Sequence, residues 1–124
     1  MANIKIFTQL KVWAKAHELV LEIYQITKKF PSEEKYGLTS QLRRAAVSIA
    51  SNIVEGFNRL SVKDSLRFYS ISRGSLEETK YQLIIARDLT YLPEEIYKKL
   101  NDLCNEVGKM LNAWIQSQIK NSKT

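Results

Sequence analysis

Apolar residues recur at three- and four-residue intervals in four long segments, the spacing that lines one face of an α-helix. In the first, about residues 10–30, Trp13, Ala16, Val20, Ile23, Thr27 and Phe30 fall on one stripe. Pro31 ends it, because the residue before a proline is pushed out of the helical region, and Lys28 and Lys29 complement the carbonyl end of the helix dipole. The link PSEEKYG, residues 31–37, is polar and bendable, with room for one more turn of helix. A second segment, about 38–58, carries Leu42, Ala45, Ala46, Ile49, Ile53 and Phe57, and its small Ala45, Ala46 and Ala50 let another helix approach closely. Gly56 lies where the C-terminus of that helix is expected.

Ser61, with Asp64 three residues on, opens a third segment, about 62–91, in the manner of a capping box. Its apolar members are Leu66, Phe68, Ile71, Leu76, Leu83, Ile84, Ala86 and Leu89. Gly74 interrupts them at up to about 1 kcal/mol against Ala, which points to close helix packing there. The fourth segment, about 93–119, starts with Pro93 at the first helical position and Glu94 and Glu95 in the favourable first turn. Ile96, Leu100, Leu103, Val107, Leu111, Trp114 and the weaker Gln118 continue its face. Four amphipathic helices with short links predict a single all-α domain over 1–124, an antiparallel up-down-up-down four-helix bundle.

Composition agrees: 124 residues with 44% hydrophobic content can bury a core without metals or disulfides. The single Cys104, set among Leu100, Leu103 and Val107, reads as a small core residue. No apolar run approaches the roughly 18 residues that span a bilayer, and the N-terminal MANIKIFTQLKVW lacks the apolar core of a signal peptide. A cytoplasmic protein with no membrane role is expected. The formal charge of +6 permits a polyanionic partner, but the excess is spread along the chain, so the fold has to assemble any basic surface.

Polar residues on the second and third helices also keep helical spacing. Ser48, Asn52, Glu55 and Arg59 form one stripe, and Ser75, Glu78 and Gln82 another; facing each other they would make a semi-buried network in which the carboxylates need partners. A di-metal centre is disfavoured, since it needs Glu on all four helices plus Glu-x-x-His pairs and the chain has only His17. General acid–base work by Glu55 and Glu78 would need a pocket, and a structural role for both is the simpler reading. His17, beside the first core stripe, reads as a boundary residue. No catalytic residue, metal or cofactor is expected, and the protein reads as a non-enzyme.

Six basic residues are candidate contacts for nucleic acid: Arg43, Arg44, Arg59, Arg73, Lys80 and Arg87. Arg73, Lys80 and Arg87 lie seven residues apart and share a helix face that could follow phosphates, or equally serve as a solvated face. Tyr69 and Tyr81 beside them could stack on bases or pack in an interface.

The segments LRRAAVSIASNIVEG, GSLEET and ARDLTYLPEEIY together resemble the bacterial four-helix-bundle family of 23S rRNA intervening sequences, which also includes accessory proteins of diversity-generating retroelements. The resemblance runs from about Leu10 to Ile119. It implies a bundle that assembles into a closed ring, typically a pentamer, with a basic surface suited to nucleic acid. Arg43, Arg44, Ser48, Asn52, Glu55 and Gly56 match the first family motif, and Gly74, Ser75 and Glu78 the second. The family's usual RAAVSIPSNIAEG has proline where this chain has Ala50 and alanine where it has Val54, so a straighter second helix is expected. The expected function is that of a non-enzymatic oligomeric accessory protein that binds RNA or DNA phosphates, with a reverse transcriptase or other nucleic-acid enzyme among its expected partners. The alternative is a protein–protein adaptor or scaffold, anchored by Trp13, Tyr24, Tyr69 or Trp114.

Overall fold

A computed structural model describes residues 3–122. Those residues form four α-helices, α1 (Lys11–Thr27), α2 (Leu38–Phe57), α3 (Val62–Asp88) and α4 (Glu94–Ser122), with short 3-10 turns at Phe7–Gln9 and Ser32–Glu34 and no strand. Each helix packs on two others: α1 and α3 both lie against α2 and α4. The buried apolar residues form one cluster drawn from all four helices, consistent with a four-helix bundle.

On α2 the core positions are those the pattern predicts, with Leu42, Ala45, Ala46, Ile49 and Ile53 buried. The helix runs unbroken through Ala50. Cys104 is fully buried in α4, and burial pushes its thiol up to about 12. The ends depart more from expectation. Pro93 precedes α4 rather than opening it, and its carbonyl accepts the Tyr97 N–H (3.0 Å). At the end of α3, Thr90 has φ 62°, and the Tyr91 N–H turns back to the Ala86 carbonyl (2.8 Å) while the Thr90 N–H reaches that of Arg87 (2.9 Å). This double closure satisfies the last carbonyls and stops α3 at Asp88, short of Tyr91.

The face of α3 differs from the one its apolar letters suggest. Ile71 and Leu89 are exposed, whereas Ser65, Tyr69, Ser72, Thr79 and Gln82 are buried with Leu76, Leu83 and Ala86. Hydroxyls fill core positions because they satisfy themselves on backbone carbonyls. Ser65 Oγ donates to Gly56 O (2.7 Å), Ser72 Oγ to Ile49 O (2.8 Å) and Thr79 Oγ1 to Ser75 O (2.9 Å). Such small residues bring α2 and α3 close, and Gly56 marks the tightest point. A Cβ there would collide with the Tyr69 ring, lying 2.8 Å from Cδ1 and 3.0 Å from Cζ. Gly56 therefore serves this contact rather than a left-handed helix end, and no described glycine has positive φ. Gly74 is the reverse case: a Cβ there meets nothing within 4 Å, so close packing within the chain does not explain it.

The two links at one end of the bundle are joined. Glu34 Oε1 accepts the Leu38 N–H at the start of α2 (3.0 Å) and its Oε2 accepts the Tyr91 hydroxyl (2.7 Å). Both bonds hold the Glu34 carboxyl below its ordinary pKa. Phe30 packs on the Tyr91 ring at 5.4 Å.

Candidate nucleic-acid interface

The six candidate cations divide between different sides of the molecule. Arg43 turns to α1, where its Nε donates to Thr27 Oγ1 (2.8 Å), its Nη2 to Tyr24 O (3.4 Å), and its guanidinium lies 4.5 Å from the Tyr24 ring centroid. There it offsets the carbonyl end of α1 and satisfies a buried threonine, so much of its donor capacity is spent inside the protein. Arg44 is exposed and has no acid within ion-pair distance among the described residues. Arg59, beyond the last turn of α2, pairs with Glu55 (2.6 Å) and lies over Phe68 (4.3 Å).

Arg73, Lys80 and Arg87 lie along the α3–α4 side. Arg73 lines a small concavity with Glu77 of its own helix and Gly108 and Asn112 of α4, and has no ion pair among the described residues. Lys80 is paired with Glu77 (3.4 Å). Arg87 is paired with Asp88 (3.0 Å), which raises its pKa, and its guanidinium sits over Tyr97 at 4.5 Å. The row keeps its spacing, but two of its three charges are already met by acids of their own helix.

The polar stripes of α2 and α3 meet in part. Ser48 and Ser75 share a hydrogen bond (2.7 Å), and Asn52 Nδ2 donates to the Ser48 carbonyl (2.8 Å) and hydroxyl (3.1 Å). Glu55 stays at the surface with Arg59, and Glu78 is exposed and stands outside this cluster. Tyr69 is 1% exposed, so it is available neither to bases nor to a partner. Burial raises its pKa. His17 is exposed and stacks flat on Trp13 at 5.0 Å. No cluster of His, Cys, Asp or Glu suited to a metal occurs among the described residues, and no described helix is long and apolar enough to cross a membrane.

A cation-rich concavity lies on the α1–α2 side. It has a volume of ≈ 460 Å³ and is lined by Tyr24, Lys35, Tyr36, Thr39, Ser40, Arg43, Arg44 and Val47. Three of those side chains are cations, two are tyrosines, and none is acidic. Arg43 and Arg44 were legible as candidates, whereas Lys35 and Tyr36 sit in a link that reads as a spacer; their only sequence signal is a cation and an aromatic next to the start of α2.

A model of the family described as 23S rRNA-intervening sequence protein matches residues 8–113. The chain belongs to that family. Among solved structures, this family member is similar to a protein of unknown function from the S23 ribosomal protein family of Bacteroides thetaiotaomicron. The two are 26% identical with a TM-score of 0.78, over 84% of this chain and 97% of the other. No curated protein sequence matches it.

Proposed function

We propose that this family member is a non-enzymatic accessory protein that binds the phosphate backbone of RNA or DNA as a homo-oligomeric ring of antiparallel four-helix bundles. The observation that carries the reading is the acid-free concavity at Lys35, Arg43 and Arg44 in a chain of net charge +6. Cations without nearby carboxylates keep their field for an external anion, and displaced counterions drive the association. Arg73 adds a charge outside any described ion pair on the α3–α4 side, although Glu77 lines the same concavity, with Lys80 and Arg87 as weaker contributors.

The antiparallel arrangement is supported by the α2–α3 bonds, which pair Gly56 with Ser65, Ser48 with Ser75 and Ile49 with Ser72, one sequence falling as the other rises. Self-association is supported by Ile71 and Tyr81, 50% and 62% exposed on the helix that carries the open Gly74. Light scattering is expected to give a mass several times 14.4 kDa, and a monomeric mass at micromolar concentration would refute the ring.

Binding of a labelled oligonucleotide should weaken steeply as salt rises. Replacing Arg44 and Arg73 by Glu should abolish it with the oligomer intact. Unchanged binding, or none by the wild type at low salt, would favour the adaptor alternative, in which the same cations serve solubility or an acidic partner.

A further inference from the structure

Tyr36 is the least explained aromatic in the chain. It is 87% exposed, yet it does not sit on a loose loop. The turn that carries it is closed by Glu34 N–H to Pro31 O (2.9 Å), Lys35 N–H to Ser32 O (3.1 Å) and Gly37 N–H to Glu34 O (3.0 Å). Gly37 follows directly, and a Cβ there would fall 2.7 Å from Glu34 Oε1, the atom that caps Leu38. The backbone beneath this open phenol ring is thus fixed, and the ring lines the concavity. Below it, Arg43 covers the ring of Tyr24, which is 38% exposed, and fixes that second aromatic. Arg44 and Lys35 flank the pair as free cations, with Lys35 Nζ 5.4 Å from the Tyr36 ring centroid. Of the two acids just before, Glu34 is turned inward to Leu38 and Tyr91, and Glu33 is absent from the lining.

An exposed aromatic face on a fixed backbone with cations beside it matches a strand whose bases are unpaired. Bases stack on aromatic rings irrespective of sequence while phosphates pair with Lys and Arg. A duplex offers the same phosphates but keeps its base faces covered. The concavity, ≈ 460 Å³ and open to solvent, has room for a nucleotide unit. We infer that the Tyr24–Lys35–Tyr36–Arg44 concavity takes single-stranded nucleic acid, with Tyr36 as a stacking platform and Arg44 and Lys35 as phosphate contacts. Arg43 is a positioning residue that holds Tyr24. This inference rests on the phosphate-binding reading above and adds to it the strandedness of the ligand and the residue that selects it.

The test is fluorescence anisotropy of the full chain with labelled oligothymidylate and, separately, a labelled duplex. Tyr36 is exposed and lies outside the core, so Tyr36→Ala should fold as the wild type does. It should weaken single-strand binding about 5- to 150-fold and leave duplex binding unchanged, and Tyr36→Phe should retain the wild-type value. Arg44→Ala should weaken both and lower the salt slope by about one. If Tyr36→Ala binds the single strand like the wild type while binding stays salt-dependent, stacking is overturned and the phosphate reading stands. If neither ligand binds at low salt, both fall together. Polyglutamate that binds with the same Tyr36 dependence would overturn the strand in favour of an acidic protein partner.

Discussion

Replacing Gly56 and Gly74 by alanine makes the same chemical change in two long helices, with opposite expected signs. Alanine is favoured over glycine inside a helix by about 0.8–1.0 kcal/mol, and that gain applies to both. At Gly74 nothing lies within 4 Å of the new Cβ, so the gain stands alone, and Gly74→Ala should stabilise the protein by up to about 1 kcal/mol. At Gly56 the Cβ would enter the Tyr69 ring, and Tyr69 is 1% exposed with no open side to move toward. Parting α2 from α3 would instead strain the Ser65–Gly56 bond (2.7 Å). Overpacking of a filled core commonly costs about 1–3 kcal/mol after such relaxation; set against the helix gain, Gly56→Ala should be destabilised by up to about 2 kcal/mol and lie about 1–3 kcal/mol below Gly74→Ala. Urea titration followed by far-UV circular dichroism measures both. A Gly56→Ala variant as stable as Gly74→Ala would refute the packing argument. A destabilised Gly74→Ala would show that another body, such as a second copy, closes on that face, and light scattering of the variant would then report a smaller mass.

Thr90→Gly should raise stability by about 0.5–1 kcal/mol, because a β-branched residue at φ 62° carries strain that glycine does not; an unchanged urea midpoint would argue against strain there. The Cys104 thiol, pushed up to about 12 by burial, should resist alkylation in the native state and react only on unfolding. Its folded pKa lies above the ordinary 9.0, so its contribution to stability is complete below that value and is lost as pH rises toward about 12. Glu34 has the opposite sign: its folded pKa is depressed, so its contribution is present above the ordinary 4.5 and is lost as pH falls through the folded value. Glu34→Gln should therefore flatten the acid limb of stability against pH, and an unaltered limb would show that the Leu38 and Tyr91 bonds carry no net free energy.

The four helices and the face of α2 were legible because apolar letters alone define them. On α3 they mislead. Ser65, Tyr69, Ser72, Leu76, Thr79, Leu83 and Ala86 keep an unbroken alternation of four and three, but three of those positions are hydroxyls whose partners, the Gly56, Ile49 and Ser75 carbonyls, are fixed only by the fold. A pattern that admitted Ser and Thr to the core would have found that face and left Ile71 and Leu89 outside. The end of α3 depends on one left-handed threonine, and the tie between Glu34 and Tyr91 joins links 57 residues apart, so neither has a local signature. At the candidate site Arg44 was readable as a cation, but whether a cation is free depends on which acids the fold sets beside it. Arg43 and Arg59, equivalent to Arg44 by letter, are both engaged within the protein.

That difference predicts how nucleic-acid affinity is distributed. The Arg73, Lys80 and Arg87 row has the regular spacing, yet Lys80 lies 3.4 Å from Glu77 and Arg87 3.0 Å from Asp88. A phosphate approaching either lysine or arginine meets a carboxylate as well, so fewer condensed counterions are released per contact. Exposed pairs of this kind contribute about 0–1 kcal/mol to stability, so breaking them leaves the fold intact and the comparison clean. Arg44 has no such neighbour. Arg44→Ala should lower the slope of log affinity against log salt by about one, and Lys80→Ala should lower it by clearly less. Equal reductions would mean that Glu77 swings away on binding and that the whole α3 row, rather than the tyrosine-lined concavity, follows the phosphates.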